Sequence, residues 1–423
     1  MEAYKIYRDV ICIDLKSFYA SVECALRGHD PFKTPLIVAD QSRGGGSVVL
    51  AVSPYLKKHG FKSRMRLHEV PDFPGMIIAK PRMQKYLEFS RDIVGVYLEF
   101  VAKEDLHIYS IDESFLDLTA YKRFYDAPTE TIAKRIMRRI YQTTGVPSTC
   151  GIGDNLLLSK LALDLKSKQS PTHIGHMHYE DVARDLWPLR PLSEMWGIGP
   201  RMEKRLNMLG LYKVGDIANA SAKRLKSQFG IMGEELFYHA NGIDQSIIAN
   251  KHEDMKTPMK SVGLGQTLFN DYDAQGIFTV MLEMVDEVAE RLRFIRMQTK
   301  TLHLSIGYSK ATGGGFSRQR SFELPSDDVE DILEQCLTIF NTYYEGLPIR
   351  KISIRATNLK PKRLGHQLSF FKTVERKEKN EKLFSTIDQL RRRFGKTSVM
   401  RLTSYFESGT AKERAKYIGG HHA

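Results

Sequence analysis

Two adjacent acidic residues interrupt a stretch that otherwise has the composition of a β-strand. The stretch is IYSIDESFLDL, residues 108–118, and the acids are Asp112 and Glu113. Neighbouring side chains of a regular strand point to opposite faces, so at most one of these carboxylates could face a given site. The pair therefore predicts either a solvated hairpin turn, which is the commoner case, or a functional place where the alternation breaks.

A third acid, Asp14, follows an earlier apolar strand. That strand is VICI, residues 10–13, and a helix carrying Phe18 and Val22 comes after it. Three acids at strand ends of one α/β domain could converge on divalent cations, because Mg²⁺ prefers carboxylate oxygens and two such ions can clamp a phosphoryl transfer. Spacing alone leaves an alternative open, in which Asp14 only caps the next helix.

The basic excess of the chain lies at its C-terminal end. The 423 residues carry a formal net charge of +13, of which +12 falls from Lys351 onward. Such a block attracts polyanions, with nucleic acid as the leading candidate, although many basic tails are only solvated surface. A chain of this length is expected to form about two to four domains.

The cellular compartment is predicted from cysteine usage and hydropathy. The four cysteines are scattered along the chain, which argues against a disulfide framework and against a zinc site. No apolar run approaches the ~20 residues that span a bilayer, and the N-terminus has no export signal. These features predict a cytoplasmic protein without a membrane partner.

Three motifs resemble those of one enzyme family. IDLKSFYASVE (13–23) and YSIDESFLDL (109–118) resemble the first and second catalytic motifs of the Y-family translesion DNA polymerases, in the expected order and separation. CGIGDNLLLSKLALDLKSK (150–168) is similar to the strand-to-helix segment that follows them in the family. The details are most similar to the bacterial UmuC-type (ImpB/MucB/SamB) members, which implies a cytoplasmic, nucleoid-associated protein.

The resemblance implies an α+β multidomain fold, the right-hand polymerase. The residue pattern agrees with this between 260 and 357, where the predicted order is strand, helix, strand, strand, helix, strand. The implied domains are the palm (1–28 and 76–175), small fingers (29–75), a helical thumb with a helix-hairpin-helix (176–247), a linker (248–258), an α+β little finger (259–360) and a basic C-terminal region with a clamp-binding motif (361–423).

By this resemblance Asp14, Asp112 and Glu113 are the catalytic and metal-binding acids, and the carbonyl of Leu15 is a backbone ligand. They would hold two Mg²⁺ ions, for which Mn²⁺ is a possible substitute. The ions would lower the pKa of the primer 3′-hydroxyl, bind the triphosphate and stabilise charge on the leaving pyrophosphate.

The resemblance also implies a nucleotide-binding set. Phe18 and Tyr19 follow the first motif, and Tyr19 matches the aromatic steric gate, whose ring would clash with a ribonucleotide 2′-hydroxyl. Without the motif, an aromatic pair buried in the core would be the expectation. Tyr55 and Lys58 match a Tyr and an Arg that touch the triphosphate, although a lysine cannot supply a bidentate fork.

Two positions depart from the family pattern, and one register is open. Arg64 and Arg66 stand where the family usually has Gly and Pro, and we hypothesise that one of them lies near the template base or phosphate. The further triphosphate lysine in LKSKQSP is Lys166 or Lys168, and we prefer Lys168.

Two further stretches are predicted to hold DNA. In MWGIGPRMEKRLNMLGL (195–211), Gly197 and Gly199 form a turn before a helix that Pro200 opens. Backbone N–H groups at such a turn bind a phosphate without reading sequence, as in the family's helix-hairpin-helix, although the glycines could serve only the turn. In the little finger, one face of the sheet is polar and is expected to include the basic residues Arg318, Arg320, Lys351 and Arg355. By the resemblance, this face could lie along DNA phosphates, and the alternative is a face that is only solvated.

A pentapeptide after the little finger resembles the bacterial sliding-clamp-binding motif. It is Gln367-Leu368-Ser369-Phe370-Phe371, with Phe370 in place of the usual Leu. Apolar side chains in such a polar segment pack either on the body or into a partner's groove. The helical pattern beyond it, NEKLFSTIDQLRRRFG, has a basic face that could bind DNA, a UmuD-like or RecA partner, or the rest of the protein.

Together these motifs predict a DNA-dependent DNA polymerase of low fidelity that performs translesion synthesis in DNA repair and the SOS response. It would transfer a nucleotidyl group from a dNTP to the 3′-OH of a primer on template DNA. The alternative is a non-catalytic, clamp-docking accessory protein that keeps the polymerase fold, and a nuclease or recombination factor is a weaker one. The intact acids and Tyr19 favour the enzyme, because an accessory protein has no need of them.

Overall fold

The structure is a computed structural model that divides into two compact units, Met1–Lys256 with the last three residues, and Thr257–Gly420. Among the residues it describes, no helix is both long and apolar enough to cross a bilayer. The described residues are 1–168, 170–249, 259–362 and 374–422.

A five-stranded sheet forms the centre of the first unit. Its middle strand, β1 (Val10–Leu15), pairs antiparallel with β6 (Glu113–Asp117) on one side and with β7 (Ser148–Gly153) on the other. β5 (Leu106–Ile108) pairs with β6 at one edge, and β8 (Ile174–Met177) runs parallel to β7 at the other. The apolar run that predicts the first strand is therefore in the middle of the sheet, with Asp14 near the end of that strand.

Local sequence explains where the helices around this sheet begin and end. The side chain of Asn155 accepts a hydrogen bond from the N–H of Leu158 at 2.8 Å and so caps a helix. Gly145 ends another helix with φ 70°, a conformation that glycine adopts without strain. The helices described in this unit are α1 (Phe18–Ala25), α2 (Pro54–Lys58), α3 (Met83–Leu98), α4 (Tyr121–Tyr125), α5 (Thr129–Thr144), α6 (Leu156–Ala162), α7 (Pro200–Asn207), α8 (Val214–Ala218), α9 (Ala222–Phe229) and α10 (Ile231–Ala240).

A second, smaller sheet lies between residues 36 and 79. β2 (Leu36–Val38) pairs antiparallel with β3 (Ala51–Val52) and parallel with β4 (Ile77–Ala79). The sequence predicts a module that ends at residue 75, whereas this sheet takes in β4. The run Ile77-Ile78-Ala79 is apolar like the strands of both sheets, so a local pattern does not tell which sheet it joins.

The helices α7 to α10 pack around one apolar cluster. Leu206, Ile217, Leu225 and Leu236, one from each helix, are all buried in it, and Leu161 of α6 joins them. The mostly helical character that the sequence predicts for 178–247 is therefore confirmed for residues 200–240.

The second unit contains a four-stranded antiparallel sheet in the order β11-β10-β12-β9. Leu302, Leu304 and Ile306 alternate in the sequence with Thr301, His303 and Ser305, which predicts one buried and one polar sheet face. The three apolar residues are indeed buried against the two helices. The predicted order of elements is confirmed. Their bounds are β9 (Ser261–Tyr272), α11 (Ala274–Phe294), β10 (Met297–Tyr308), β11 (Gly315–Ser326), α12 (Val329–Tyr343) and β12 (Ile349–Pro361).

The strand register corrects the basic face that the sequence predicts for this sheet. Arg320 and Arg318 lie opposite Leu302 and Leu304, whose side chains are buried under the helices. Opposite residues of an antiparallel pair share a face, so both arginines project on the helix side. The guanidinium of Arg318 accordingly lies 4.8 Å from the ring centroid of Tyr343 in α12.

Lys351 and Arg355 do lie on the open face of the sheet. Arg355 is opposite His303, and Lys351 is opposite Gly307. The prediction fails for the other two arginines because β11 is an edge strand, where a long side chain on the helix side still reaches solvent. Alternation in an exposed edge strand does not reveal which of its two faces is inward.

The C-terminal segment packs along α11. Asp388 of α13 (Val374–Phe394) forms a buried ion pair with Arg293 through two hydrogen bonds of 2.7 and 2.9 Å, and Arg401 binds Asp286 through two of 2.6 and 2.8 Å. Part of the C-terminal basic excess is therefore neutralised within the chain. Further ion pairs join Arg391 to Glu290 and both Lys396 and Arg414 to Glu287. The last elements are α14 (Ala411–Arg414), β13 (Tyr417–Ile418) and β14 (His421–His422).

Candidate active site

A hairpin bend brings the three predicted acids together. β5 and β6 are antiparallel neighbours joined by residues 109–112, so Asp112 lies in the bend and Glu113 begins β6. Glu113 is directly opposite Asp14 on β1, and the N–H of Leu15 donates to the carbonyl of Asp112 at 2.8 Å. Opposite residues of an antiparallel pair share a face, with Cβ atoms ~5 Å apart. The two adjacent acids therefore do not alternate along one regular strand.

The carboxylates of this cluster repel one another. The pKa of Asp14 is raised to about 7, first by burial and then by the negative charges of Asp112 and Glu113. The positive charges of Lys160 and Lys168 oppose this shift without cancelling it. A divalent cation beside the three acids would offset the repulsion, and their oxygens are the donors that Mg²⁺ prefers.

Glu113 is held by two side chains that the sequence did not single out. Its Oε2 accepts a hydrogen bond from Nζ of Lys160 on α6 at 2.9 Å, and its Oε1 accepts one from the thiol of Cys12 at 3.3 Å. Burial lowers the pKa of Lys160, but the carboxylates of Asp164 and Glu113 outweigh it and raise that pKa above its usual value. A lysine inside the apolar helix LLLSKLAL was the available signal, because a buried lysine needs a partner.

The hydrogen bonds to Glu113 and Asp112 determine whether these carboxylates can coordinate a metal ion in their present conformation. Within the part of the chain that the structure describes, no three His, Cys, Asp or Glu side chains form a ready-made metal site. Glu113 is engaged by Lys160 and Cys12, and Oδ1 of Asp112 accepts from the hydroxyl of Ser110 at 2.7 Å. The acids fit a divalent cation in donor type and charge, and coordination requires their side chains to rotate from these donors.

Four lysines from three segments are linked electrostatically to Asp14 or to one another, and we call Lys16, Lys57, Lys58 and Lys168 the lysine cluster. Desolvation lowers the pKa of Lys16, and the charges of Lys58 and Lys57 lower it further. Desolvation also lowers the pKa of Lys57, which interacts electrostatically with Asp14 and Lys168. Ammonium groups that repel one another in this way create a positive potential, which attracts polyanions. The sequence motifs identify Lys58 and Lys168 but not the other two.

Lys166 and Lys168, the two candidates for the further triphosphate lysine, have different partners. Lys166, in the π-helical turn Leu163–Ser167 that follows α6, forms an ion pair with Asp185. Lys168 instead contributes to the electrostatics of Asp14. Only the second of the two therefore belongs to the lysine cluster.

The aromatic residues of the first motif have different environments. Phe18 is buried in the core, 3% exposed. Tyr19 is half-buried, and its ring stacks on that of Tyr86 in α3 with centroids 4.5 Å apart and 17° between the planes. Tyr55 on α2 is also half-buried, with its ring centroid 4.6 Å from that of His59. Of Phe18 and Tyr19, only Tyr19 therefore has a side chain that is accessible to a ligand.

The remaining predicted residues that the structure describes lie outside the named helices and strands. Gly197 (φ 93°) and Gly199 are solvent-exposed, and Pro200 is the first residue of α7, as predicted. Arg64 is exposed with φ 69°, and Arg66 donates to the carbonyl of Gly46 at 2.7 Å. The clamp-motif residues Gln367, Leu368, Phe370 and Phe371 lie outside the described residues.

The fold is that of the Y-family DNA polymerases. The solved structure of the Y-family DNA polymerase chimera Dbh-Dpo4(243-245)-Dbh matches with a TM-score of 0.64, covering 84% of this chain and 99% of that chain. The two sequences are 21% identical, so this likeness concerns the fold.

Sequence comparison identifies the family. The model of the impB/mucB/samB family matches residues 13–164, its C-terminal-domain model matches 259–370, and its HHH-motif model matches 179–211. The putative UV-damage repair protein UvrX of Bacillus subtilis is 42% identical over 98% of this chain and 97% of its own length. DNA polymerase IV 2 of Halalkalibacterium halodurans is 33% identical over 98% of this chain and 99% of its own. This chain belongs to the impB/mucB/samB family of Y-family translesion DNA polymerases.

Proposed function

We propose that the chain extends a primer on template DNA by nucleotidyl transfer from a dNTP with two Mg²⁺ ions, for which Mn²⁺ is a possible substitute. The observation that carries this proposal is the convergence of Asp14, Asp112 and Glu113 beside the lysine cluster. These acids and the carbonyl of Leu15 would hold the ions. The ions would supply activation of the primer 3′-hydroxyl and charge stabilisation of the leaving pyrophosphate.

The lysine cluster would bind the triphosphate of the incoming nucleotide. Burial lowers the pKa of Lys16 and of Lys57, the charges of Lys58 and Lys57 lower that of Lys16 further, and the charge of Lys168 lowers that of Lys57 further, so a bound polyanion would relieve this repulsion. The electrostatic link between Lys168 and Asp14, and the ion pair that occupies Lys166, support Lys168 as the contact. Tyr55, beside the cluster member Lys58 on α2, would add a hydroxyl contact, and Lys58 acts as a point charge rather than a fork.

Tyr19 would exclude ribonucleotides. We expect Tyr19→Ala to raise the kcat/KM for an rNTP, relative to the matching dNTP, by roughly tenfold or more, which is about 1.4 kcal/mol. The reason is that the ring would no longer occupy the space of the 2′-hydroxyl. Single-nucleotide primer extension with both nucleotides measures the ratio. Tyr141→Ala, at an exposed tyrosine of α5, is the control, and an unchanged ratio in Tyr19→Ala rules out the gate.

DNA would be held by backbone contacts. The exposed turn at Gly197 and Gly199, at the start of α7, offers N–H groups to a phosphate, and the open sheet face offers Lys351 and Arg355. The fingers sheet has three strands of two or three residues, which supports few contacts to the nascent base pair. Low fidelity and lesion bypass in DNA repair and the SOS response follow from such an open site.

We further propose that Gln367, Leu368, Phe370 and Phe371 bind a sliding clamp. Replacing Gln367, Phe370 and Phe371 by Ala is expected to abolish stimulation of synthesis by the clamp and to leave unstimulated synthesis at the wild-type rate, because the motif precedes α13 and lies far along the chain from the acids. Primer extension with and without clamp measures this, and equal stimulation of the variant refutes the proposal.

We also propose a UmuD-like protein or RecA as a further partner, and the nucleoid as the location of the protein in the cell. Both rest on the family resemblance. The ion pair between Asp388 of α13 and Arg293 supports the third option for that helix, packing on the protein itself.

A further inference from the structure

A buried charge network lies directly behind Tyr19. Glu23, one turn further along α1, is fully buried, and Arg82 donates to it twice, from Nε to Oε1 at 3.0 Å and from Nη2 to Oε2 at 2.6 Å. The hydroxyl of Tyr86 donates to the same Oε1 at 2.9 Å. Arg27 forms an ion pair with Oε2 from the other side. Four polar groups, from the turn after α1, from α3 and from the residue before α3, thus bind one carboxylate.

The network keeps its carboxylate ionised and its phenol protonated. Burial would raise the pKa of Glu23, but the hydrogen bonds from Arg82, Arg27 and Tyr86 hold it below its usual value. Burial and the charge of Glu23 raise the pKa of Tyr86, so its hydroxyl remains a donor. Hydrogen bonds to a charged acceptor are the strong ones in proteins.

Tyr86 joins this network to Tyr19. Its side chain is fully buried, with the hydroxyl bound to Glu23 and one ring face stacked 4.5 Å from the ring centroid of Tyr19. Its backbone N–H donates to the carbonyl of Arg82 at 3.2 Å, so ring and guanidinium occupy successive turns. The ring of Tyr86 therefore forms a fixed backing surface for Tyr19.

We infer that Glu23, Arg82 and Tyr86 are positioning residues for sugar discrimination, because they prevent the ring of Tyr19 from yielding to a 2′-hydroxyl. This inference rests on the proposed role of Tyr19 as the gate. A steric clash excludes a ligand only if the clashing group cannot move, since a shift of a few tenths of an ångström relieves most of the repulsion. The charged hydrogen bonds behind Tyr86 supply that resistance.

The test is the ratio of kcat/KM for a dNTP to that for the matching rNTP in Tyr86→Phe. This variant keeps the ring and the stack and removes only the hydroxyl. We expect the ratio to fall roughly three- to tenfold, a part of the roughly tenfold or more that one hydrogen bond to a charged group contributes, while kcat/KM for the dNTP changes less than about threefold. Arg82→Met is expected to lower the ratio in the same direction.

Arg27→Met is the matched control. It removes the other guanidinium from Glu23 and leaves Arg82 and Tyr86 in place, so the wild-type ratio is expected. An equal fall in Arg27→Met would overturn the specific role of Tyr86 and Arg82. Thermal unfolding of every variant separates these effects from loss of the fold.

A double variant separates this inference from the gate itself. In the Tyr19→Ala background, Tyr86→Phe is expected to cause no further fall in the ratio of kcat/KM for the dNTP to that for the rNTP. The reason is that the ring which Tyr86 holds in place is then absent. If Tyr19→Ala keeps the wild-type ratio, the gate fails and this inference with it. If Tyr19→Ala lowers the ratio while folded Tyr86→Phe and Arg82→Met do not, the gate stands and this inference is wrong.

Discussion

Asp112→Ala should abolish nucleotide incorporation, lowering kcat/KM by at least about a thousandfold, or about 4 kcal/mol of transition-state stabilisation. Asp112 lies in the hairpin bend with Glu113 and Asp14 beside it, and its charge is one of two that raise the pKa of Asp14. Removing it takes away both a carboxylate ligand and part of the negative charge that would hold the cations. The measurement is primer extension with Mg²⁺ on undamaged and lesion-containing templates.

The control for this experiment is Asp92→Ala. Asp92 is an exposed acid of α3 whose partner is its neighbour Arg91, so wild-type incorporation is expected. Full activity of Asp112→Ala, or no incorporation by the wild type on any template, would show that these acids do not form the catalytic centre.

Gly151→Ala should destabilise the first unit by roughly 3–5 kcal/mol, beyond the usual cost of overpacking. A Cβ at Gly151 would lie 2.1 Å from the carbonyl oxygen of Ser159 and 2.3 Å from the backbone nitrogen of Leu163. Both contacts are with backbone, so relief requires α6 to move off β7. Gly151 is also opposite Cys12 on β1, whose thiol binds Glu113, so the displacement reaches the acids.

Thermal and denaturant unfolding measure this effect, and Gly95→Ala is its control. Gly95 is exposed in the last turn of α3, with nothing within 4 Å of an added Cβ. Because Ala forms helix better than Gly, the control is expected to gain about 0.5–1 kcal/mol. A Gly151→Ala protein as stable as the wild type would mean that the close packing of α6 on β7 is not required.

The sequence predicts the structure best where the residues of one motif lie close together in the chain. The sequence predicts the apolar strand that leads to Asp14, and the alternation of Leu302 and Leu304 predicts the inward face of β10 correctly. Within each motif the informative residues are close together in the chain, so the strand alternation follows from local periodicity, whereas the role of the acids follows from the resemblance to the family's motifs.

It was weaker where partners are distant in the chain. Lys160 is 47 residues from Glu113, and no local pattern links an apolar helix to a hairpin bend. Arg318 and Arg320 were assigned to the open sheet face, and only the pairing of β11 with β10 shows that they lie on the helix side. The sequence left open whether the basic C-terminal helix binds DNA, a partner or the rest of the protein, and only the structure shows that Asp388 of α13 pairs with Arg293 and that Arg401 pairs with Asp286 of α11.

The sequence by itself predicted the acids and the aromatic Tyr19 through their resemblance to the family's motifs, and it predicted the order of strands and helices between 260 and 357 through residue type and short spacing. Only the tertiary structure decided how two adjacent acids can serve one site: the bend at 109–112 breaks the alternation, and β1 brings Asp14 opposite Glu113. It also separated Lys166, held by Asp185, from Lys168 near Asp14. The physical reason is that charge and steric contact act through space, between groups whose distance no stretch of sequence encodes alone.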